Sequence, residues 1–229
     1  MVRLQDRGMK VPGFFMTIEG PDGAGKTTQV NLLAAQLEKR GIRYIKTREP
    51  GGTRISDQIR SLLLDPESYE MNAKTEALLY AASRAQLVAQ VIRPALEERN
   101  VVICDRYVDA SIAYQGALGL SHEDVRLIND FATQKLQPDR TYLIDIPVEK
   151  GIARIQHAKR IEFGHVLDRI EQRALDYHTK VREGFHELAA ANPKRYVCID
   201  GLQSMEDIAR QILQDVLAVL PFYIPNLKE

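Results

Sequence analysis

Residues 14–28, FFMTIEGPDGAGKTT, join an unbroken apolar run to a glycine-rich loop that ends in Lys-Thr-Thr. The spacing Gly20-x-x-x-x-Gly25-Lys26-Thr27 is that of a phosphate-binding loop, with the strand before it and the helix after it that the motif requires. The helix is read from Val30, Leu33, Ala34 and Leu37, which recur at i, i+3, i+4 and i+7, and it stops where Gly41 follows Lys39-Arg40. Backbone N–H groups of such a loop, together with the helix N-terminus, bind phosphate oxygens. Gly20, Pro21, Asp22, Gly23, Ala24, Gly25, Lys26, Thr27 and Thr28 are therefore the candidate nucleotide-binding residues. Lys26 is expected to reach the β- and γ-phosphates of ATP and the Thr27 hydroxyl to ligate Mg²⁺. A plain glycine turn with a surface lysine explains the string poorly once strand and helix flank it. Asp22, an acid in a loop built for anions, is left unexplained.

Working outward, four more short runs rich in apolar and β-branched residues alternate with helical patterns: 43–48, 101–105, 141–146 and 196–200. Helices are expected over roughly 73–93, 122–135, 168–190 and 204–219. Strands alternating with helices imply βαβ crossovers, so the fold class is α/β: a parallel five-stranded sheet flanked by helices. The continuous apolar character of the strands fits a sheet covered on both faces.

The 229 residues are 45% apolar and 27% charged, as in an ordinary globular protein with one domain. Lys plus Arg and Asp plus Glu both total 31, so the net charge gives no argument for a nucleic-acid or membrane partner. No uncharged run approaches the ~18 residues of a spanning helix. Cys104 and Cys198 each sit in an apolar run and are expected to be buried, reduced thiols, which suits the cytoplasm. Residues 1–12 alternate charged and apolar positions and read as a loose extension.

A phosphate loop alone does not separate kinases from GTPases, motors or sensors. No Asn-Lys-x-Asp guanine-reading string is present. A second constellation follows the third strand, in CDRYVDASIAYQG, residues 104–116. Ligands of open parallel sheets bind at the carboxyl ends of the strands, so Asp105 and Arg106 should emerge beside the loop. Asp105 suits a Mg²⁺-bound water and Arg106 a second phosphate, although an Asp–Arg pair also ends many strands without a ligand. Ser111, Tyr114 and Gln115 share one helical face at i, i+3 and i+4. Tyr80 and Arg84, four apart, suit a flat base, stacked by the ring and bonded by the guanidinium, or form an ordinary cation–π pair. The second strand ends in Arg48-Glu49-Pro50 before Gly51-Gly52, and Arg60 follows as a further phosphate ligand.

These stretches, IEGPDGAGKTTQ, TREPGGT, EALLYAASRAQ, VVICDRYVDASIAYQG and LDRIE, taken in order, resemble the bacterial thymidylate kinases over nearly the whole chain. The resemblance implies one P-loop kinase domain over 1–229, with a lid at about 154–168, that transfers a phosphoryl group from ATP to dTMP with Mg²⁺. It also implies a homodimer and a cytoplasmic place in dTDP biosynthesis. Carried over by position, Tyr80 stacks on the base, Arg84 bonds it, and Ser111 and Gln115 complete its pocket. Arg60 and Arg106 hold the dTMP phosphate, Tyr114 stands where a ribose hydroxyl would be, and Asp22 faces the acceptor's sugar. Glu49 is counted with this set, and Thr27 and Asp105 with the metal.

Some members of that family carry a basic residue directly after the P-loop carboxylate; here that position is Gly23. The catalytic cation is then expected from the lid, where residues 154–171 supply Arg154, Lys159, Arg160 and Arg169. Arg160 is the first choice and Lys159 the next, in a lid longer and more apolar than those of related sequences. The expected chemistry is direct in-line transfer assisted by Lys26, Arg106, Arg160 and Asp105, with no strong general base because the attacking oxygen is already anionic. A kinase for another pyrimidine nucleotide or a nucleoside is the alternative within enzymes. Outside them it is a nucleotide-dependent regulator that transfers nothing.

Overall fold

The computed structural model describes residues 12–161 and 167–224, excepting the side chains of 159–161. Among these residues five strands form one sheet: β1 (Phe14–Glu19), β2 (Tyr44–Arg48), β3 (Val101–Asp105), β4 (Arg140–Asp145) and β5 (Tyr196–Asp200). Their order is β2-β3-β1-β4-β5, and every pairing is parallel. The expected sheet is therefore present, with β4 beginning one residue earlier than the apolar pattern indicated and β2 one residue later.

β1 lies in the middle, and its alternation divides the molecule. Phe14, Met16 and Ile18 pack with Val30, Leu33 and Leu37 of α1 (Lys26–Glu38) and Ile208, Ile212 and Val216 of α9 (Met205–Val219). Phe15 faces the opposite layer, with Leu87, Val88 and Ile92. That layer is built from α3 (Ala73–Leu87), a π-helical turn at Val88–Ile92, α4 (Arg93–Glu97), α5 (Val108–Gly116), α6 (His122–Thr133) and α8 (Leu175–Ala191). Full burial of each large apolar side chain contributes roughly 1.5–3 kcal/mol, so Phe14, Phe15, Met16 and Ile18 anchor both layers to one strand. α2 (Arg54–Leu64) and α7 (Val148–Ile161) complete the set.

Two expectations are corrected. The helix read over 168–190 begins only at Leu175, because the Asp168 carboxylate accepts the N–H groups of Ile170 and Glu171, both at 2.9 Å, and closes a turn there. Cys198 is exposed, because β5 is an edge strand; only Cys104 is buried. Residues 1–11 of the expected extension, and 162–166 of the expected lid, lie outside the described residues.

Candidate active site

The loop after β1 turns on Gly20, Gly23 and Gly25, at φ of 140°, 75° and 92°. These are conformations that a side chain would strain. It delivers the chain to α1, whose N-terminus carries neither a side-chain cap nor an acidic residue in its first turn. By contrast Thr53, Asn72, Ser121 and Ser204 each cap their helices. The unmatched N–H groups of α1 are thus left for an anion. Lys26 bends back so that Nζ donates to the Pro21 carbonyl at 2.8 Å. Burial, with Arg106 close by, lowers its pKa to about 8 against the pull of Asp22, Asp105 and Glu19. An arriving phosphate would favour the charged form further.

The carboxyl ends of β1 and β3 meet here, since Ile18 is in register with Asp105. Thr27 Oγ1 donates to Asp105 Oδ2 at 2.5 Å, so the two proposed metal ligands touch. This oxygen-only pair fits Mg²⁺, which keeps most of its coordination for water and substrate phosphate. Among the described residues no larger cluster of acids, His or Cys forms a metal site.

Arg106 adopts a left-handed backbone (φ 69°), unusual for a side-chain-bearing residue. Two bonds to β1 hold the turn: Arg106 N donates to Ile18 O at 3.1 Å and Tyr107 N to Glu19 Oε1 at 2.7 Å. The guanidinium thereby reaches Gly20 O at 2.9 Å, Tyr114 Oη at 2.8 Å and the Asp22 carboxylate, while Tyr114 donates to Asp22 Oδ2 at 2.8 Å. Burial alone would raise the Asp22 pKa, but Arg106, Lys26 and the Tyr114 hydroxyl together hold it below the ordinary carboxylate value. Asp22, Arg106 and Tyr114 thus form one hydrogen-bonded cluster on the wall of a cleft.

That cleft is lined by Asp22, Glu49, Arg60, Tyr80, Arg84, Arg106, Ser111, Tyr114 and Gln115, which brings every expected acceptor-binding residue to one place. Arg60 Nη1 is fixed on Pro50 O at 2.9 Å. Arg84, 1% exposed, is held on all sides: Nε donates to Glu49 Oε2 at 2.5 Å, Nη1 to Ser111 Oγ at 3.0 Å and to Asn129, and Nη2 to Tyr107 O at 3.1 Å. α5 is seated closely enough to carry these groups because Gly184 of α8 meets Ala113 with no Cβ between them.

Sequence reasoning missed Glu19, Glu76, Asn129, Asp168 and Glu171. Glu19 had a signal, a carboxyl ending an otherwise apolar strand. Burial, with Asp109 adding to it, pushes its pKa up to about 8, against Arg106, the Tyr107 N–H and Lys26. Relative to its ordinary 4.5, the folded chain binds the extra proton, so stability falls as pH rises through the window from about 5 to about 8. Glu19→Gln is expected to flatten the fall of the thermal midpoint across that window, leaving the share due to Glu49, which burial raises to about 7. An unchanged slope would mean that Glu19 is not the protonated group.

The expected lid cations divide. Arg169 is not a lid cation: it is 8% exposed, with Nε donating to Leu63 O at 2.9 Å. Arg154 donates to Gly201 O at 3.1 Å and, at 3.5 Å, to Gly23 O. Arg160 lies in α7, but its side chain and that of Lys159 are outside the described ones. Gly23 is pressed on α7 as well. A Cβ at Gly23 would stand 2.3 Å from the Gly151 carbonyl oxygen, and one at Gly151 2.3 Å from that of Asp22.

A family model described as thymidylate kinase matches residues 18–212. Among similar proteins, thymidylate kinase of Exiguobacterium sibiricum is 51% identical over 209 residues, covering 91% of this chain and 96% of the relative. That of Pelobacter propionicus is 47% identical, covering 90% and 94%. That of Lactobacillus helveticus is 46% identical, covering 91% and 98%.

Proposed function

The chain belongs to the thymidylate kinase family, and from that premise we propose how its own residues carry out ATP-dependent phosphorylation of dTMP to dTDP. The observation that carries the reading is the meeting of two anion sites at one end of β1. The uncapped start of α1 with Lys26 lies on one side, and Arg106 with Arg60 on the other. ATP occupies the first through its phosphates. The dTMP phosphate occupies the second, with its base toward Tyr80, Arg84, Ser111 and Gln115 and its sugar toward Asp22 and Tyr114.

A dTMP phosphate oxygen then attacks the γ-phosphorus of ATP in line, and the bond from that phosphorus to the β,γ-bridging oxygen breaks, so that ADP leaves as dTDP forms. It is already anionic, so the enzyme's task is orientation and charge stabilisation rather than proton removal. Arg106 meets the acceptor with a planar fork fixed on three partners, so little freedom is lost when phosphate displaces some of those bonds. Lys26 exchanges the Pro21 carbonyl for phosphate oxygen. Mg²⁺, held by Thr27 and Asp105 when bound, neutralises phosphate charge. Tyr114, pinned between Arg106 and Asp22, closes the space a ribose hydroxyl needs. Two copies forming a dimer, in the cytoplasm, complete the reading; no helix among the described residues is long and apolar enough to cross a membrane.

The test is a kinetic panel with ATP as donor and dTMP, dUMP, UMP, dCMP and thymidine as acceptors. The highest kcat/KM is expected for dTMP. dUMP is expected to be lower by about 10- to 200-fold, the range one methyl group supports, and UMP lower again. Preference for another acceptor, or ADP release that needs none, would overturn the reading.

A further inference from the structure

Gln115 stands on the cleft wall, 1% exposed, and its two amide atoms have different surroundings. Nε2 donates to Glu76 Oε1 at 2.9 Å, whereas Oε1 has no hydrogen-bond partner. Glu76, on α3, is fully buried. Its other oxygen accepts from Arg173 Nη2 at 2.5 Å and lies 2.7 Å from Arg169 Nη2, the latter an ion-pair contact without hydrogen-bond alignment. Held ionised between two guanidinium groups, the carboxylate has only acceptor positions to offer, so it engages the amide through the NH₂ end alone. A glutamine amide otherwise presents either end with the same shape. Here Glu76 makes the choice, and the buried oxygen left over calls for a donor from whatever fills the cleft.

We propose that Glu76 is a specificity-positioning residue: by holding Gln115 Nε2 it makes Gln115 offer a carbonyl oxygen to the base. The cleft then selects pyrimidines with a ring N–H, thymine and uracil, and rejects cytosine, whose ring nitrogen at that place is an acceptor. The inference rests on the reading that this cleft receives the dTMP base. Facing two acceptors across a dry contact leaves both unpaired, and mismatched polar groups discriminate far more strongly than a methyl group does. Arg169 and Arg173 follow directly on the expected lid, so the segment leaving the lid and the base-reading amide are held by one carboxylate.

The test compares kcat/KM for dTMP and dCMP in the wild-type chain, Glu76→Gln and Gln115→Met. Glu76→Gln can both donate and accept, which frees the Gln115 amide to turn round. The dTMP-to-dCMP ratio is expected to fall at least about tenfold, with KM for ATP unchanged. Gln115→Met is expected to lower the ratio too, through loss of dTMP activity. A Glu76→Gln enzyme as selective as wild type, beside an unselective Gln115→Met, would overturn the role of Glu76. Unchanged selectivity in both would show instead that the base does not meet Gln115, and the reading of the cleft would fail. Because Glu76→Gln takes the counter-charge from two arginines and can prevent folding, a second measurement uses the wild-type fold. In the ¹⁵N-labelled chain with dTMP bound, the Gln115 side-chain NH₂, identified by its absence in Gln115→Met, is expected to exchange slowly with solvent. Fast exchange would overturn the proposal.

Discussion

Arg106→Ala is expected to lower kcat/KM for dTMP by about 100- to 1,000-fold, the effect of removing one well-oriented donor from a transferring group, while KM for ATP changes little. The expectation follows from where the guanidinium is tied. It bonds the P-loop carbonyl of Gly20, the carboxylate of Asp22 and the hydroxyl of Tyr114, so it is aimed at the acceptor side before any ligand arrives. Arg106→Lys restores the charge but not the fork, and is expected to recover only part of the loss. Steady-state kinetics with each substrate varied in turn decides the matter. Normal dTMP kinetics in Arg106→Ala would move the acceptor phosphate elsewhere.

The second large effect is expected at Arg160. Gly23 has no room for the basic residue some relatives carry, since its Cβ position is filled by the Gly151 carbonyl. Of the lid cations, Arg154 is engaged with backbone carbonyls and Arg169 is buried beneath α2, which leaves Lys159 and Arg160 for the transferring phosphoryl group. Arg160→Ala is expected to lower kcat by about 100-fold or more and KM for either substrate only slightly, the signature of a contact made in the transition state. Unchanged kcat in Arg160→Ala, with a loss in Lys159→Ala, would transfer the role to Lys159.

Much of this architecture was legible because its signals are local. The glycine loop between an apolar run and a helical period identifies β1 and α1, and the i, i+3, i+4 spacing of Ser111, Tyr114 and Gln115 sets one face of α5 toward the cleft. What failed to show in the chain depends on partners distant in sequence. Arg169 reads as a lid cation among other cations, yet it is drawn into a buried contact with α2 and Glu76 by residues some 90 to 106 positions earlier. Glu76 looks like a helix-surface acid until α5 and the post-lid turn close over it. Cys198 shares the apolar setting of Cys104, but exposure depends on β5 being the last strand of the sheet, which composition does not encode.

The mutual contact of Gly23 and Gly151 has a mechanical consequence. α7 rests backbone to backbone on the P-loop near its own first turn, so any tilt of the helix would turn about this contact. From Gly151 to Arg160 the arm is nine residues, about 14 Å at the rise of an α-helix. A tilt of about 5° at the contact would therefore sweep the far end through about 1 Å, the scale on which transition-state contacts are made or lost. Because both sides of the bearing are glycine, a methyl group on either would pry the arm away from the loop and carry its far end off with it.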